Sequence, residues 1–537
     1  MRYATKGVLI AALAGALLIS ACSKGSTTAE TTGTPAQSND TATAATASAQ
    51  ADPATATMAS MVVERPGVQH LHFSYGPIKI LPGQNNIDLS GGDVPKPAVD
   101  GYIVGIRPNL VRTDGTIPGV DVLHLHHGVW LNLGRKDLTD PGLPERLFAT
   151  GEEKTVIMTP DGYGYPYKAS DGWLINYMLH NLLPKADEVS LVYDIDFIPA
   201  SDPAAAATKA VLPVWMDVQN GETYPVFDAM RGSGTNGLFT YPKDATNPYP
   251  GKQKNTWTID RDGVLVGSGG HLHPGGLYDD LYLTRAGASA APGSSAADSV
   301  VGDTAHLFRS EAKYWEPAGA VSWDVAMTVT GSDWKVNVKK GDVLSIQATY
   351  DVSNASWYES MGIMNQWLAT GDEGKDPFVD KVDLPGQITH GHLAENDNHG
   401  GSDAVIGADP ATLTATPSDG KVNILDFVYS PGDMQNYQTI PSVKAGQALT
   451  FTNSDDKTGR GLWHTITACK APCNRSTGIA YPLANGDIQF DSGELGTGGV
   501  PTADRITWST PADLPSGVYT YFCRIHPFMR GSFAVTP

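Results

Sequence analysis

The chain of 537 residues is too long for one hydrophobic core, since domains of roughly 100 to 200 residues are usual. Its 37 basic and 57 acidic side chains give a formal net charge of −20 at pH 7, which would repel the phosphates of a nucleic acid. Length and charge therefore exclude a single compact module and argue against nucleic-acid binding. The 58 glycines and 37 prolines, with only 18% charged residues, favour turn-rich β domains and predict an all-β fold.

The first 22 residues have the features of an export signal. Arg2 and Lys6 precede an apolar run, Val8 to Ile19, that leads to Cys22. The run is shorter than the roughly 20 residues that a membrane-spanning helix needs. The segment resembles a bacterial lipoprotein signal with its lipobox. The resemblance implies lipidation of Cys22 and an exported, membrane-anchored lipoprotein that faces the periplasm or the cell surface.

Composition divides the rest of the chain. Residues 23–60 are small and polar, which predicts a disordered tether. From Val62 onward, short β-type runs alternate with clusters of Gly, Pro, Asn and Asp, the pattern of sandwich strands. Stretches of low apolarity near 200–210 and 395–418 mark boundaries. The predicted units are β-sandwiches at 61–205 and 206–390, a linker at 391–415 and a third sandwich at 416–537.

Cys469 and Cys473, which stand four residues apart, are expected to form a short-loop disulfide, because an exported protein folds in an oxidising compartment. We expect this bridge to be a staple with no electronic role. With Cys22 assigned to lipid, Cys523 is the one thiol of the four cysteines that is left without a partner.

Cys523 belongs to the clearest constellation in the chain. It is followed by His526 and Met529 in Cys523-Arg-Ile-His-Pro-Phe-Met529, and His464 lies some sixty residues earlier. One thiolate, two imidazoles and a weak axial thioether form a site that suits both Cu(I) and Cu(II). The run strongly resembles the cupredoxins, in particular the amicyanin-like form with a short ligand loop. The resemblance implies a Greek-key sandwich in which His464, Cys523, His526 and Met529 bind type 1 copper.

Further histidines lie in β contexts of the two central units. They stand in three motifs, His124-Leu-His126-His127-Gly128, Tyr177-Met-Leu-His180 and His271-Leu-His273. Side chains alternate along a strand, so His271 and His273 would share a face and could chelate one ion. The same alternation places His124 with His126 and turns His127 away, unless a bulge near Gly128 changes the register.

The order of these motifs, with the runs Gly101–Gly105, Gly341–Tyr350 and Glu359-Ser-Met361, is similar to that of the copper type II monooxygenases. This family includes peptidylglycine α-hydroxylating monooxygenase and dopamine β-monooxygenase. The resemblance covers about 100–370 and implies two jelly-roll-like sandwiches, each with one type 2 copper, that hydroxylate a C–H bond with O2. It implies electron-storing copper on His126, His127 and His180, and catalytic, O2-binding copper on His271, His273 and Met361.

The chain departs from that family at several points. Gly128 stands where the family has a methionine, His124 is an additional histidine, and 61–415 contains no cysteine for disulfides. Whether His124 replaces His126 or His127 as a ligand stays open, and Met364 is an alternative to Met361.

The resulting hypothesis is an exported copper-dependent monooxygenase that acts on a small organic substrate with O2. Its fused type 1 copper domain would supply electrons, and a redox partner protein could supply that domain. The alternative is a non-catalytic, copper-binding electron-transfer lipoprotein.

Overall fold

A computed structural model describes residues 57–58, 62–152, 154–219, 225–246, 254–315, 319–389, 407–458, 462–469, 473–474, 481, 483, 490–497 and 505–537. The predicted signal, its lipidation site Cys22 and the tether as far as residue 56 lie outside the described residues. Within these ranges, no helix is both long enough and apolar enough to cross a membrane.

Regular structure in the described residues is almost entirely strand, which confirms the all-β fold class. The first strands are β1 (Thr57–Met58), β2 (Gln69–Ile80), β3 (Asn85–Leu89), β4 (Gly101–Arg112), β5 (Leu123–Lys136), β6 (Pro144–Gly151), β7 (Ile157–Met158), β8 (Tyr163–Tyr167), β9 (Trp173–Asn181) and β10 (Asp187–Pro199). Those that follow are β11 (Lys209–Asp217), β12 (Phe227–Ala229), β13 (Leu238–Tyr241), β14 (Thr256–Thr258), β15 (Gly263–His271), β16 (Gly276–Thr284), β17 (Val300–Val301), β18 (Thr304–Tyr314), β19 (Val325–Val329), β20 (Val336–Val338), β21 (Val343–Asp351), β22 (Trp357–Ser360), β23 (Ile363–Ala369) and β24 (Gln387–Ile388).

The C-terminal strands are β25 (Thr414–Pro417), β26 (Lys421–Leu425), β27 (Val428–Ser430), β28 (Thr439–Lys444), β29 (Thr450–Asn453), β30 (Thr467–Ala468), β31 (Thr507–Ser509), β32 (Gly517–Phe522) and β33 (Arg530–Thr536). Three short 3-10 helices are described at Pro203–Ala207, Pro410–Thr412 and Asp455–Thr458.

The first sandwich packs two antiparallel sheets around one core. One sheet has β10 between β2 and β4, with β7 and β8 on the far side of β4, and the other has the order β3-β9-β5-β6. Every second residue of β10 from Val189 to Phe197 is buried in that core. This period of two is the signature of a strand with one face on a core.

The second sandwich shares a sheet with the first. β23 pairs with β11 and β15 in one sheet, while β21 pairs with β16 and β13 in the facing sheet. Lys209 at the start of β11 pairs with Tyr163 of β8, so hydrogen bonding continues from one sandwich to the other. Val211, Val264 and Trp367 of the second sandwich pack in the first core. The two predicted units are therefore built around one continuous sheet.

The C-terminal unit is a separate sandwich with its own core. Its sheets have the orders β25-β28-β33-β32-β30 and β27-β26-β29-β31. Tyr519, Tyr521 and Cys523 alternate inward along β32 and beyond its end, where they are fully or almost fully buried. The structure joins Cys469 to Cys473 in a disulfide.

The segments before and after the central sandwiches differ from the predicted tether and linker. β1 lies within the predicted tether, yet it pairs in parallel with β24. In the predicted linker, residues 391–406 lie outside the described residues, and β25 begins at Thr414. The exact unit boundaries stay predictions.

Candidate metal centre

Three ligand-type side chains converge at one end of the C-terminal sandwich. β32 ends at Phe522, and residues 523–529, here called the ligand loop, turn back into β33. The loop brings His526 beside Cys523, and the bridge between His464 and Leu495 brings His464 to the same place. Cys523 Sγ lies 3.7 Å from His464 Nδ1 and 3.8 Å from His526 Nδ1, and the two Nδ1 atoms lie 3.3 Å apart.

These distances fit a single metal ion. With metal–nitrogen bonds of about 2.0 Å and a metal–sulfur bond of about 2.3 Å, ligand atoms around a plane lie roughly 3.5 to 3.8 Å apart. All three side chains have 0% exposure. Within the described residues, this is the one group of three or more His, Cys, Asp or Glu side chains whose ligand atoms all lie within 4.8 Å of each other.

Both imidazoles are held through their second nitrogen. His464 Nε2 lies 2.9 Å from Asp455 Oδ2, and His526 Nε2 lies 3.2 Å from the Gly83 carbonyl oxygen. An N–H donated to an oxygen leaves Nδ1 as the atom with the lone pair, which is how proteins orient histidine ligands. The backbone N–H of Thr465 also donates to Cys523 Sγ at 3.4 Å.

The fourth predicted ligand, Met529, is fully buried within the ligand loop. Its carbonyl accepts from the Cys523 N–H at 3.2 Å, and its own N–H donates to the His526 carbonyl at 2.8 Å. These two bonds close the loop on itself and tie the Met529 backbone to those of Cys523 and His526.

The electrostatics favour a thiolate. Burial opposes ionisation of Cys523, but hydrogen bonds and charge interactions with His464 and His526 prevail and lower its pKa well below the ordinary value. Burial also disfavours protonated His464, yet its bonds to Asp455 and Cys523 raise its pKa to about 9. A thiolate is the form of cysteine that binds metals.

The ligand loop contacts both central sandwiches. The Ile525 carbonyl lies 2.9 Å from His180 Nε2 of the first sandwich. Arg524 donates to the Ser356 carbonyl of the second sandwich, and its guanidinium lies 4.7 Å from the ring centroid of Trp357. Arg524 and Ile525, which lie between the candidate ligands Cys523 and His526, thus contact the neighbouring sandwiches.

Gly83 is required at its contact with the C-terminal unit. Its φ is +62°, and a Cβ there would lie 2.3 Å from the Phe427 ring and 2.9 Å from His526 Nε2. Only glycine adopts such a conformation without cost while bringing its backbone this close. The edge of His526 is therefore covered by protein.

Next to the ligand loop, six histidines form a continuous cluster. His126 is its centre, with ring centroids 4.5 Å from His273, 6.1 Å from both His124 and His127, and 6.2 Å from His180. His273 continues the cluster to His271 at 5.1 Å. Trp323 packs over it, 4.6 Å from His124 and 5.3 Å from His126.

The chemistry of these imidazoles suits metal ligation. His124 Nδ1, His180 Nε2 and His273 Nδ1 each bond a backbone carbonyl. The opposite nitrogen of each, and Nδ1 of His126, are buried without a hydrogen-bond partner. A lone pair aimed into a buried site needs a proton donor or a metal.

Burial keeps five histidines of the cluster neutral. It is the largest cause that lowers the pKa of His124 and of His127 to about 4. Burial, followed by the neighbouring imidazoles, lowers the pKa of His126, His180 and His273 well below the ordinary value. Neutral imidazole is the form that binds a metal.

The structure divides the histidines between two pockets. His126, His180 and His273 line the first, here called the histidine pocket, together with Trp323, Arg524 and Ile525. His127, His271 and Met361 line the second, here called the apolar pocket. Each predicted ligand set is therefore split, because His127 lies with His271 and Met361, and His273 lies with His126 and His180.

Backbone irregularities explain this division. A bulge in the pairing of β5 with β9 lies between Leu125 and His127, close to Gly128, where the sequence left a bulge open as an alternative. β15 ends at His271, so His273 belongs to the following turn, and the two rings are 87° apart. Strict strand alternation therefore does not govern this pair.

The two candidate methionines have different surroundings. Met364 is fully buried in the core of the second sandwich, whereas Met361 lines the apolar pocket beside His271. The geometry favours Met361 as the thioether near the histidines.

The sequence motifs do not include the residues that hold the candidate ligands and the histidine cluster in place. Asp455, Gly83 and Trp323 belong to no motif, and the contact between Gly83 and His526 spans 443 positions. A weak local signal exists for Asp455, because it precedes the His464 motif by nine residues.

Comparisons with known proteins return distant structural neighbours. A purple cupredoxin from Nitrosopumilus maritimus is 21% identical over 22% of this chain and 100% of its own, with a TM-score of 0.15. The copper-containing nitrite reductase of Thermus scotoductus SA-01 is 12% identical over 52% of this chain and 59% of its own, with a TM-score of 0.16. No protein-family model matches the chain, and no curated protein is significantly similar. TM-scores this low assign neither a cofactor nor an activity.

Proposed function

We propose that the protein is a copper-dependent oxidoreductase that hydroxylates a C–H bond of a small organic substrate with O2. Its C-terminal unit would supply the electrons from a type 1 copper held by His464, Cys523 and His526, with Met529 as the weak axial ligand. The observation that carries the proposal is the ligand loop, which supplies two of the three converging ligand atoms, with His464 as the third, and also contacts His180 in the histidine pocket.

The C-terminal residues suit electron transfer. Copper bound there would supply one-electron chemistry, because thiolate and imidazole together suit both of its oxidation states. Asp455 and the Gly83 carbonyl hold the two imidazoles in place, so their orientation is preorganised. The Ile525 carbonyl, 2.9 Å from His180 Nε2, provides a short connection from the ligand loop to the first sandwich.

The central sandwiches would carry out the oxygen chemistry. We assign the sandwich histidines and Met361 to two further copper ions and group them by the pocket that they line. One set is His126, His180 and His273, and the other is His127, His271 and Met361. His127, His271 and Met361 meet in the apolar pocket, where a soft thioether favours the Cu(I) state that reacts with O2. The pocket would hold the organic substrate beside these side chains and exclude water.

The overall reaction consumes one C–H bond, one O2, two electrons and two protons, and it yields one alcohol and one water. An external one-electron donor must supply the electrons, either a redox partner protein or a small reductant such as ascorbate. Fusion of the electron-transfer unit to the sandwiches raises its effective concentration at the site of use.

The test is substrate-dependent oxygen uptake by the copper-loaded full chain. Supplied with ascorbate and a set of small aromatic alcohols and amines, wild type should consume O2 and place 18O from 18O2 in the product. Cys523→Ser should lose the intense thiolate-to-copper absorption band and most of this activity, whereas the exposed-site control Asp513→Asn should retain both. Bound copper without any oxygen chemistry would instead support the non-catalytic electron-transfer protein.

We further propose that lipid on Cys22 holds the protein at a membrane that faces the periplasm or the cell surface. Acyl chains bury methylenes in the bilayer and can retain a soluble domain at its surface. Wild type should partition into the membrane fraction and incorporate radiolabelled palmitate, and Cys22→Ala should do neither. Equal palmitate labelling of both proteins would contradict the proposal.

A further inference from the structure

The apolar pocket lies between the two central sandwiches and has a hydrocarbon floor. Trp215, Met361 and Ile363 form a buried cluster there, against which Val129 and Ala149 pack. The cavity itself is small, about 50 Å³, so a ligand of more than a few atoms would extend through its open mouth.

Besides its two histidines, the pocket has only uncharged polar side chains. They come from Thr150, Thr155, Asn176 and Asn365, and no Asp, Glu, Lys or Arg is found among the described lining residues. Arg146 stacks on the Trp215 ring, 4.7 Å from its centroid, but its charge lies outside the lining.

Two hydroxyl groups of residues that line the apolar pocket have no hydrogen-bond partner. Thr150 and Thr155 have exposures of 3% and 4%, and the Oγ1 atom of each is buried without a hydrogen bond. Leaving a buried hydroxyl unpaired costs about 1 to 3 kcal/mol. Both threonines line the apolar pocket, so a ligand there could satisfy them.

From these contacts we infer that the apolar pocket binds an uncharged organic molecule with a hydrocarbon body and one neutral hydrogen-bonding group, such as an alcohol, ketone or amide. The inference rests on the proposed function in taking this molecule as the substrate that is hydroxylated. The hydrocarbon body contacts Trp215, Ile363 and Met361, which places its C–H bonds beside His271, and the hydrogen-bonding group meets Thr150 and Thr155.

Charge is the feature that the pocket discriminates against. In the metal-free pocket a carboxylate or ammonium loses its hydration on entry and finds no Asp, Glu, Lys or Arg in the described lining to pair with, which is far more costly than burying an alcohol. An alcohol keeps one donor and two acceptor lone pairs, enough to serve both threonines.

The test uses three ligands with the same ring and chain, namely 2-phenylethanol, 2-phenylethylammonium and phenylacetate. Binding is measured by titration calorimetry on the chelator-treated, metal-free full chain, so that no bound copper can ligate the carboxylate or the amine and no turnover occurs. We expect 2-phenylethanol to bind at least about tenfold more tightly than either ion. Equal or tighter binding of an ion, or no binding of the alcohol, would overturn the inference.

Variants locate the site. Ala149→Phe should fill the pocket and abolish binding of 2-phenylethanol. The isosteric changes Thr150→Val and Thr155→Val, which preserve the packing, should each weaken it about fivefold. Thr284→Val is the matched control, because Thr284 bonds Thr304 at 2.8 Å elsewhere in the second sandwich. Unchanged affinity in both pocket threonine variants would contradict the assignment.

Measurements of binding and of turnover distinguish failure of the pocket assignment from failure of the proposed function. If 2-phenylethanol binds as expected but the copper-loaded, reduced protein yields no hydroxylated product with O2, the proposed function fails and the pocket assignment stands. If the alcohol does not bind while another compound is hydroxylated, the pocket assignment fails and the proposed function stands.

Discussion

His464 has two different tasks for its two ring nitrogens. Nδ1 faces Cys523, and Nε2 bonds Asp455, which is itself buried. Burial would raise the pKa of Asp455, but the bond to His464 prevails and lowers it to about 2. In the metal-free protein the two side chains therefore form a buried ion pair that holds the imidazole in position. Breaking such a pair from one side costs about 3 to 5 kcal/mol.

This pair predicts a pH window of stability for the metal-free protein. The lowered pKa of Asp455 stabilises the fold above the ordinary carboxyl value of about 3.9, and the effect is lost as pH falls toward 2. The raised pKa of His464 stabilises it below about 6.5, and the effect is lost as pH rises through 9. Asp455→Asn should thus lower the thermal unfolding midpoint most between about pH 4 and 6.5.

The measurement is the unfolding midpoint of chelator-treated protein from pH 3 to 10, followed by circular dichroism. Asp513→Asn removes an exposed carboxylate and is the control, expected to follow wild type. A difference between wild type and Asp455→Asn that is equally large at pH 5.5 and pH 9.5 would show that the pair does not act as described.

At the scale of strands, the sequence predicts sites whose residues lie close together in the chain better than sites that depend on contacts between distant strands. Cys523, His526 and Met529 lie within seven positions, so a single turn between β32 and β33 brings them together, and the sequence could show this. The division of the sandwich histidines could not be read in the same way. It depends on a bulge in β5, which the sequence left as an open alternative, and on the end of β15 just before His273, which no composition signal marks.

The division of the histidines predicts which substitutions act together. His127 and His271 line one pocket and His126 lines the other. In the copper-loaded protein, His127→Ala and His271→Ala should perturb the same paramagnetic resonance signal, and the double variant should add little to either single change. His127→Ala and His126→Ala should instead perturb different signals and add, as independent sites do. Additive effects for His127 and His271 would contradict this grouping.

At the scale of the whole molecule, the C-terminal sandwich is placed against the other two by its ligand loop. The loop contacts Gly83 and His180 in the first sandwich and Ser356 in the second. The sequence predicts three β units and their order. It could not predict that a backbone carbonyl from the first unit would meet a ligand of the third, because main-chain contacts at this separation depend on packing alone.

Gly83 offers a direct way to disturb this junction. Gly83→Ala places a Cβ against Phe427 and His526 at a φ of +62° and should push the ligand loop away from the first sandwich. Electron transfer from the C-terminal unit to the sandwiches should slow severalfold, while the thiolate-to-copper band stays. Gly115→Ala is the control, since its φ is +85° and its Cβ would meet no atom within 4 Å. Equal transfer rates in the two variants would show that the junction is not the route.

A single-turnover experiment, monitored by rapid-mixing spectroscopy, tests most directly whether the C-terminal unit supplies electrons to the sandwiches. Fully reduced, copper-loaded protein is mixed with O2 and 2-phenylethanol, and the thiolate-to-copper band and the hydroxylated product are followed together. The two reduced sandwich coppers hold the two electrons for one turnover, so we expect the band to return after the product forms, as the C-terminal copper refills them, and its return to slow in Gly83→Ala. Product formation with no return of the band would contradict the proposed electron supply, as would an undiminished rate of repeated turnover with ascorbate in Cys523→Ser.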